Sequence, residues 1–533
     1  MSSFQSLTAK APAPTKLSHE GGTVFQVDPI LQLRRFLILG VGGSFYEDTD
    51  TKVNQFKSLL TTLVAENPGA VLGEICTIDS ERSALRKDTM IYALAALCSP
   101  DVPYEIRREA YGYVGTLCTT GTDFLHWLQF RRTGRTSSRL FRKTISNWFR
   151  RHKNPVLQAI KYEQRDGWSL RDALRLAQPV AGTPSEEKLF AWIKHPDKRA
   201  QLLTAWEIAE WSIPNLMRGW QDIRQEGVTP ADAADIIRRY SLPREAVPGR
   251  FLASFEVWAA LITDMPAQAT IRNLGKITSL ELLRDPETLE IILDKIRCGA
   301  KILHPFDFFI AREAYGTGGR GIKSSNRWTP LSSVMHELTE SFRKSYGTLP
   351  VNHDVSLLVA IDTSASMHRG TVSNPLIACD KAAAALASVL RWQYPNSRFF
   401  AYSEGLTHMD ITSGSFDEFT REIRRLEHIG TDCRLPLLFA QKNPGYDGVI
   451  SLTDNETGVP FSYGARTSMS REITCSSLVD EIHKTHPTFK HAVVAFAAND
   501  ISVANPHDLN QLDFEGLDAS LPKALAMFMN GVL

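Results

Sequence analysis

The chain has no apolar run of the roughly eighteen residues a membrane helix requires, so its 533 residues read as water-facing domains rather than a membrane protein. It has no Cys-x-x-Cys: its seven cysteines stand scattered at 76, 98, 118, 298, 379, 433 and 475. That pattern excludes a zinc ribbon and a disulfide framework, and it fits free thiols in a reducing compartment. No P-loop, zinc spacing or Ser/His/Asp order is present, so phosphoryl transfer and triad hydrolysis have no motif to rest on. Residues 1–25 carry no hydrophobic signal core and are expected to form a polar tail of a cytoplasmic protein. A clean repeat period is also missing. The overall charge has no dominant sign, with 60 Lys/Arg against 59 Asp/Glu.

That balance conceals an asymmetry. Residues 1–350 hold 46 basic and 38 acidic residues, whereas residues 351–533 hold 14 and 21. The turn-rich Tyr346-Gly347-Thr348-Leu349-Pro350 falls at the shift. A chain of this length exceeds one hydrophobic core, and the boundaries expected are a tail over 1–25, a helical module over 26–350 and an α/β domain over 351–533. Helix spacing recurs through the helical module, as in Phe56, Leu59, Leu60, Leu63 and Val64. Turn signals such as Asn67-Pro68-Gly69 and Thr183-Pro184 cut it into short helices, which suggests stacked helix pairs.

In the last third, short apolar runs alternate with helical ones, the pattern of βαβ units in a doubly wound parallel sheet. Strands are expected over 355–361, 397–403, 448–453 and 491–497, with helices from about Asn374 to Trp392 and over Leu435 to Gln441. The first strand runs into Asp362-Thr363-Ser364-Ala365-Ser366, so a carboxylate and two hydroxyls sit on the turn between strand and helix. In an open α/β sheet ligands bind at that end of the strands. Carboxylate plus hydroxyl is the donor set of a hard divalent cation; Ser and Thr before a helix also read simply as N-caps. Two later stretches, Gly430-Thr431-Asp432-Cys433 and Leu452-Thr453-Asp454, complete a D-x-S-x-S, Thr, Asp series. The series resembles the metal-ion-dependent adhesion site of von Willebrand factor A domains. That resemblance implies Asp362, Ser364, Ser366, Thr431 and Asp454 as ligands of Mg²⁺ or another divalent cation, with Asp454 acting through water.

The basic hot spot lies at 131–175, with 13 Lys/Arg against three acids and with Trp148, Phe149, Tyr162 and Trp168 interleaved. A charge run is commonly a solvated face, but few acids and many aromatics also suit RNA, whose phosphates take cations and whose unpaired bases stack on rings. Lys161 and Arg165 are expected to share one helix face, with Arg171 and Arg175 nearby. Arg272, Asn273 and Lys276 cluster around one turn, where Gly275 also reads as a helix cap. His304 before Pro305 reads as a capping or packing residue. Gly316-Thr317-Gly318-Gly319-Arg320-Gly321 matches G-x-G-x-x-G, but no strand feeds it, so a flexible basic loop is expected instead of a dinucleotide site.

Several pieces in one order carry a wider resemblance. They are Lys161 to Ser169, Ile271 to Lys276, Leu303-His304-Pro305-Phe306, Asp362 to Met367, Gly430 to Cys433 and Thr453 to Thr457. Together they resemble the Ro (SS-A) ribonucleoproteins over roughly residues 26 to 533, the bacterial members being closest in size. The resemblance implies a ring of HEAT-like α-helical repeats, the TROVE module, closed by a von Willebrand A domain. It also implies small noncoding Y-like RNA on the outer surface and single-stranded 3′ ends of misfolded RNA in the ring, for RNA quality control. Lys161 and Arg165 match the family's Y-RNA helix; Arg171, Arg175, Arg272 and Lys276 are further RNA candidates. An exoribonuclease is a partner expected with this role, and the protein is expected to be a monomer. One departure is Gln178, where the family often carries a His; Gln hydrogen-bonds but cannot become a cation. A non-catalytic RNA-binding protein is therefore the leading expectation. The alternative is a metal-dependent protein-binding module on a helical scaffold. A Mg²⁺ nuclease usually wants two metals and more carboxylates, for which Asp432 and Glu456 lie nearby.

Overall fold

The structure is a computed structural model. It describes residues 15–17, 23–25, 29–40, 51–81, 84, 87–131, 138–151, 155–162, 164–165, 167–208, 214–320, 326–371, 376–426, 431–454, 474–497, 504, 508, 510–515, 517 and 521–531. Gly321, Gly430 and Glu456 lie outside them. Among the described residues no helix is long and apolar enough to cross a membrane. By its contacts the chain divides into two compact units, Pro29–Pro266 with Lys276–Ile292, and Met1–Asp28 with Ala267–Gly275 and Leu293–Leu533.

The first of these units is helical. Its helices pack in sequence-adjacent pairs or near-neighbours: Asp88–Leu97 on Gly121–Phe130, and Pro230–Tyr240 on Phe255–Asp264. Local chemistry starts them. Thr120 and Asp123, Ser169 and Asp172, and Thr229 and Asp232 form reciprocal capping boxes, each satisfying two backbone N–H groups that a helix start leaves open. Pro184 and Pro230 sit in the first turn, where the missing N–H costs nothing. The core between helices is aromatic: Phe124 stacks on Trp148 with ring centroids 4.2 Å apart.

The second unit holds β1 (Thr15–Leu17) and β2 (Thr23–Phe25), an antiparallel pair. The helical unit contributes the one other small hairpin among the described residues, β3 (Gln164–Arg165) with β4 (Trp168–Ser169). The main sheet lies in the second unit: β5 (Leu357–Asp362), β6 (Arg398–Tyr402), β7 (Leu406–His408), β8 (Gly448–Thr453), β9 (Lys490–Ala495) and β10 (Gln511–Glu515), in the order β10-β9-β8-β5-β6-β7. All neighbours are parallel except β6 and β7. The four strands read from sequence are present. The edge strands β7 and β10 were not anticipated. β5 and β8 are buried at every residue, which explains why both are mainly apolar.

The helix after β5 is Cys379–Gln393 and starts five residues later than expected. The loop before it is instead pinned by an antiparallel bridge between Gly370 and Ala378. Its small residues, Ala382 to Ala385, are wholly buried, so neighbouring backbones approach closely. The helices Pro305–Gly316 and Ser332–Lys344 pack on each other and belong to this same unit. They join the sheet layer through Phe309 and Phe342 against Phe416, through Tyr346 Oη to Ser388 Oγ at 2.8 Å, and through Lys381 Nζ to Glu313 at 2.7 Å.

Candidate metal centre and nucleic-acid interface

The chain leaves β5, crosses over to β6 on one side, and later returns as β8 on the other. The carboxyl ends of β5 and β8 thus flank the point where the winding reverses, which is where an open α/β sheet leaves a crevice. Asp362 ends β5 and Asp454 directly follows β8; both are fully buried. Asp362 Oδ1 accepts the Ser364 N–H at 2.8 Å and its Oδ2 accepts the Thr453 hydroxyl at 2.8 Å. Ser364 and Ser366 hydroxyls lie 2.9 Å apart. Thr431 is also buried, and the residue after it, Asp432, donates its N–H to Ser403 O at 2.8 Å, just beyond the end of β6. The five expected ligands therefore all lie at or just beyond the carboxyl ends of β5, β6 and β8.

Burial, and secondarily the Asp454 charge, push the Asp362 carboxyl up to about 6, although its hydrogen bonds pull the other way. Arg369, unforeseen from the sequence, brings its Nε to 3.7 Å from Asp454 Oδ2. The donor set is oxygen only, which is the chemistry of Mg²⁺. Cys433 is no donor here: it is buried beside the Tyr402 hydroxyl, and burial drives its thiol well above the ordinary range. Asp432, a candidate extra carboxylate for a nuclease, is held by Arg434 through two contacts of 2.8 Å. Partial burial would raise its pKa, yet these bonds keep it below the usual value.

The basic region is sorted differently from its sequence. In the helix Arg139–Arg151, Phe141, Ile145, Trp148 and Phe149 are buried, while Arg139, Arg142 and Lys143 are exposed. Trp148 donates its indole N–H to Cys118 O at 2.8 Å, so Trp148 and Phe149 are core residues and not base-stacking platforms. Arg131 is buried and donates to the Tyr111 hydroxyl. Arg150 pairs with Glu186 at 3.0 Å.

The shared helix face of Lys161 and Arg165 is not formed. The helix Pro155–Lys161 ends at Lys161, and Arg165 pairs with Trp168 in the β3–β4 hairpin. Gly167 stands between the two strands at φ +80°, a conformation that glycine admits freely and a helix does not. Lys161 itself is exposed. The pair that does share a helix is Arg171 and Arg175, one turn apart on Leu170–Ala177. Arg171 donates Nε–H to Lys194 O at 3.0 Å, and Arg175 is exposed. Gln178 ends that helix in the left-handed conformation, φ 44° and ψ 54°.

Arg272 and Lys276 stand one turn apart on Ala267–Ser279, with Arg272 exposed and Lys276 half-buried. Gly275 is not a cap, because the helix continues past it. A Cβ there would meet Trp328 Cη2 at 2.6 Å, so the glycine admits the indole. Trp328 also closes on the glycine-rich stretch: its N–H donates to Gly318 O, and its indole donates to Tyr315 O at 2.9 Å. Gly318 and Gly319 are thus held by packing rather than forming a free loop. His304 caps the next helix, its Nδ1 accepting the Phe306 N–H at 3.2 Å.

Residues 230–351 match the family described as the TROVE domain, and residues 356–529 match the Ro60 vWA domain. A Deinococcus radiodurans protein named RNA-binding protein RO60 is 27% identical over 528 residues, covering 96% of this chain and 95% of that protein. The Caenorhabditis elegans protein of the same name is 27% identical over 595 residues, covering 96% and 90%. The crystal structure of the Deinococcus radiodurans RO (RSR) protein superposes with a TM-score of 0.80 at 25% identity, covering 95% of this chain and 100% of that one. With both domain types in order and the fold shared along nearly its whole length, the chain belongs to the Ro family, helical TROVE repeats joined to a von Willebrand A domain.

Proposed function

We propose that this chain is an RNA-binding protein, without an enzymatic activity of its own, whose helical unit carries the RNA. The observation that carries the reading is a set of exposed cations, Arg139, Arg142, Lys143, Lys161 and Arg175, for which no carboxylate partner exists among the described residues. Exposed cations without acidic partners are open to phosphates. The relatives named for RNA binding point the same way. The finer form of the proposal is Y-like RNA on this basic surface and single-stranded 3′ ends of misfolded RNA taken near Arg272 and Lys276, with an exoribonuclease acting on what is held. Phosphate contacts give affinity without sequence choice, so structured RNA would be chosen by shape and exposed loops.

A Lys161→Ala/Arg175→Ala double variant should bind a small structured RNA more weakly. Its salt slope should fall by about 0.7 to 0.9 per lost phosphate contact. Unchanged slope and affinity would return this face to the status of solvated surface. Arg272→Ala/Lys276→Ala should instead weaken a single-stranded 3′ end selectively; equal losses for both RNAs in both variants would mean one shared site.

We further propose that Asp362, Ser364, Ser366, Thr431 and Asp454 hold a hard divalent cation such as Mg²⁺. The buried, all-oxygen crevice at the winding reversal also supports the second reading, a metal-dependent capture of a partner's carboxylate. RNA binding that persists in chelator while a protein partner is lost would separate the two roles.

A further inference from the structure

At the opposite end of the sheet stands a group that the metal centre does not use. Asp480 and His483 lie three residues apart, on one face of the helix Cys475–His483. Asp508 comes from the segment leading into β10. One ligand atom from each of the three lies within 4.8 Å of the others, and no other such group of three His, Cys, Asp or Glu occurs among the described residues. His491 and Gln511, which face each other in the β9–β10 register, mark the amino ends of these parallel strands. Asp508 precedes Gln511, so this group is at the strand ends remote from Asp362 and Asp454.

Its members are oriented from behind. His483 Nε2 lies 2.8 Å from Phe489 O, so that nitrogen carries the proton and donates it. The other ring nitrogen, Nδ1, is then the lone pair, the tautomer that metal-ligating histidines have fixed for them in this way. Asp508 Oδ1 accepts the Asn510 N–H at 2.9 Å, and its Oδ2 accepts the Gln511 amide at 2.8 Å. Gln511 is fully buried and also reaches Ser476 Oγ at 3.3 Å, on the same helix as Asp480 and His483. One buried amide thus ties Asp508 to the helix that carries the other two.

We propose that Asp480, His483 and Asp508 form a second divalent-cation site, one that prefers a borderline ion such as Zn²⁺ over Mg²⁺. An imidazole donor suits zinc and its neighbours, whereas Mg²⁺ wants oxygen alone. Three protein ligands leave a position for water, the pattern of an open rather than closed zinc site. The bound ion fastens the edge strand β10 to the Cys475–His483 helix. The domain would then carry two cation sites of different hardness at its two ends.

The test is Zn²⁺ titration of the full-length protein against a chromophoric chelator, with Co²⁺ absorption as a second readout of an imidazole–carboxylate environment. One equivalent is expected at this site. Asp480→Asn and His483→Gln should each weaken it by at least roughly tenfold, while Asp362→Ala and excess Mg²⁺ should leave it in place. Asp480 is exposed, so its variant keeps the fold as the reference even if His483→Gln loosens the Phe489 turn. Zinc binding that is absent, unaffected by Asp480→Asn, or abolished by Asp362→Ala would each overturn the proposal.

Discussion

Replacing Asp362 by Asn should stabilise the metal-free protein at neutral pH. In the folded chain this carboxyl is raised from 3.8 to about 6. A group whose folded pKa lies above its unfolded value binds protons more tightly when folded, so stability is lost as pH rises across that window. The penalty is absent below about pH 4, grows between the two values, and is complete above about pH 6, where it reaches about 3 kcal/mol. Asn carries no charge to desolvate. Its carbonyl can still accept the Ser364 N–H, and its amide can donate to the Thr453 hydroxyl, which turns from donor to acceptor. Allowing for imperfect geometry, the gain in chelator at pH 7.5 should be about 1–3 kcal/mol, worth several degrees in the melting of a domain of this size. Thermal melts at pH 4.5, 6 and 7.5, with EDTA or with Mg²⁺, read the effect. The variant's advantage should shrink at pH 4.5, and Mg²⁺ should stabilise the unmutated protein alone, by about 2.7 kcal/mol at a hundredfold excess over its dissociation constant. Equal melting of both proteins in EDTA at pH 7.5 would refute the electrostatic argument, and equal gains from Mg²⁺ would refute the metal assignment.

Other outcomes follow from the same structure. His491 is fully buried and burial holds it down to about 4. Its contribution is complete above its unfolded value and is lost as pH falls from about 6.5 toward 4, the opposite sign to Asp362 over nearly the same range, about 3 kcal/mol each way. His491→Gln, in chelator, should therefore lose stability as pH rises where the unmutated protein stays nearly level; identical pH profiles would contradict this. Gly275→Ala puts a methyl against Trp328, whose indole is already fixed on Tyr315 O. It should cost about 1–3 kcal/mol, and a neutral melt would show that the indole can move aside. A fragment of residues 351–533 lacks the helices that bear Glu313, Phe309 and Phe342. It should be less soluble and less stable than residues 293–533, as urea melts of the two would show.

What the sequence determined by itself was chemistry carried by short, contiguous runs. β5 and β8 announce themselves because a strand buried on both faces is mainly apolar, and the carboxylates that end them stand out against that run. Ser169 with Asp172, and Thr229 with Asp232, are equally legible, because a helix start makes its hydrogen bonds within four residues. The hairpin that removes Arg165 from a helix turns on Gly167, a signal that the charge spacing on either side outweighs in the sequence. The tertiary structure alone decided the rest. It buried Trp148 and Phe149 and left Arg142 and Lys143 in water, a division that depends on which face meets Phe124. It gave Gly275 to Trp328, more than fifty residues away. It joined Asp508 to Asp480 and His483 through a buried amide. Those outcomes rest on contacts between distant segments, and packing, unlike a cap or a strand run, has no fixed spacing along the chain from which to be read.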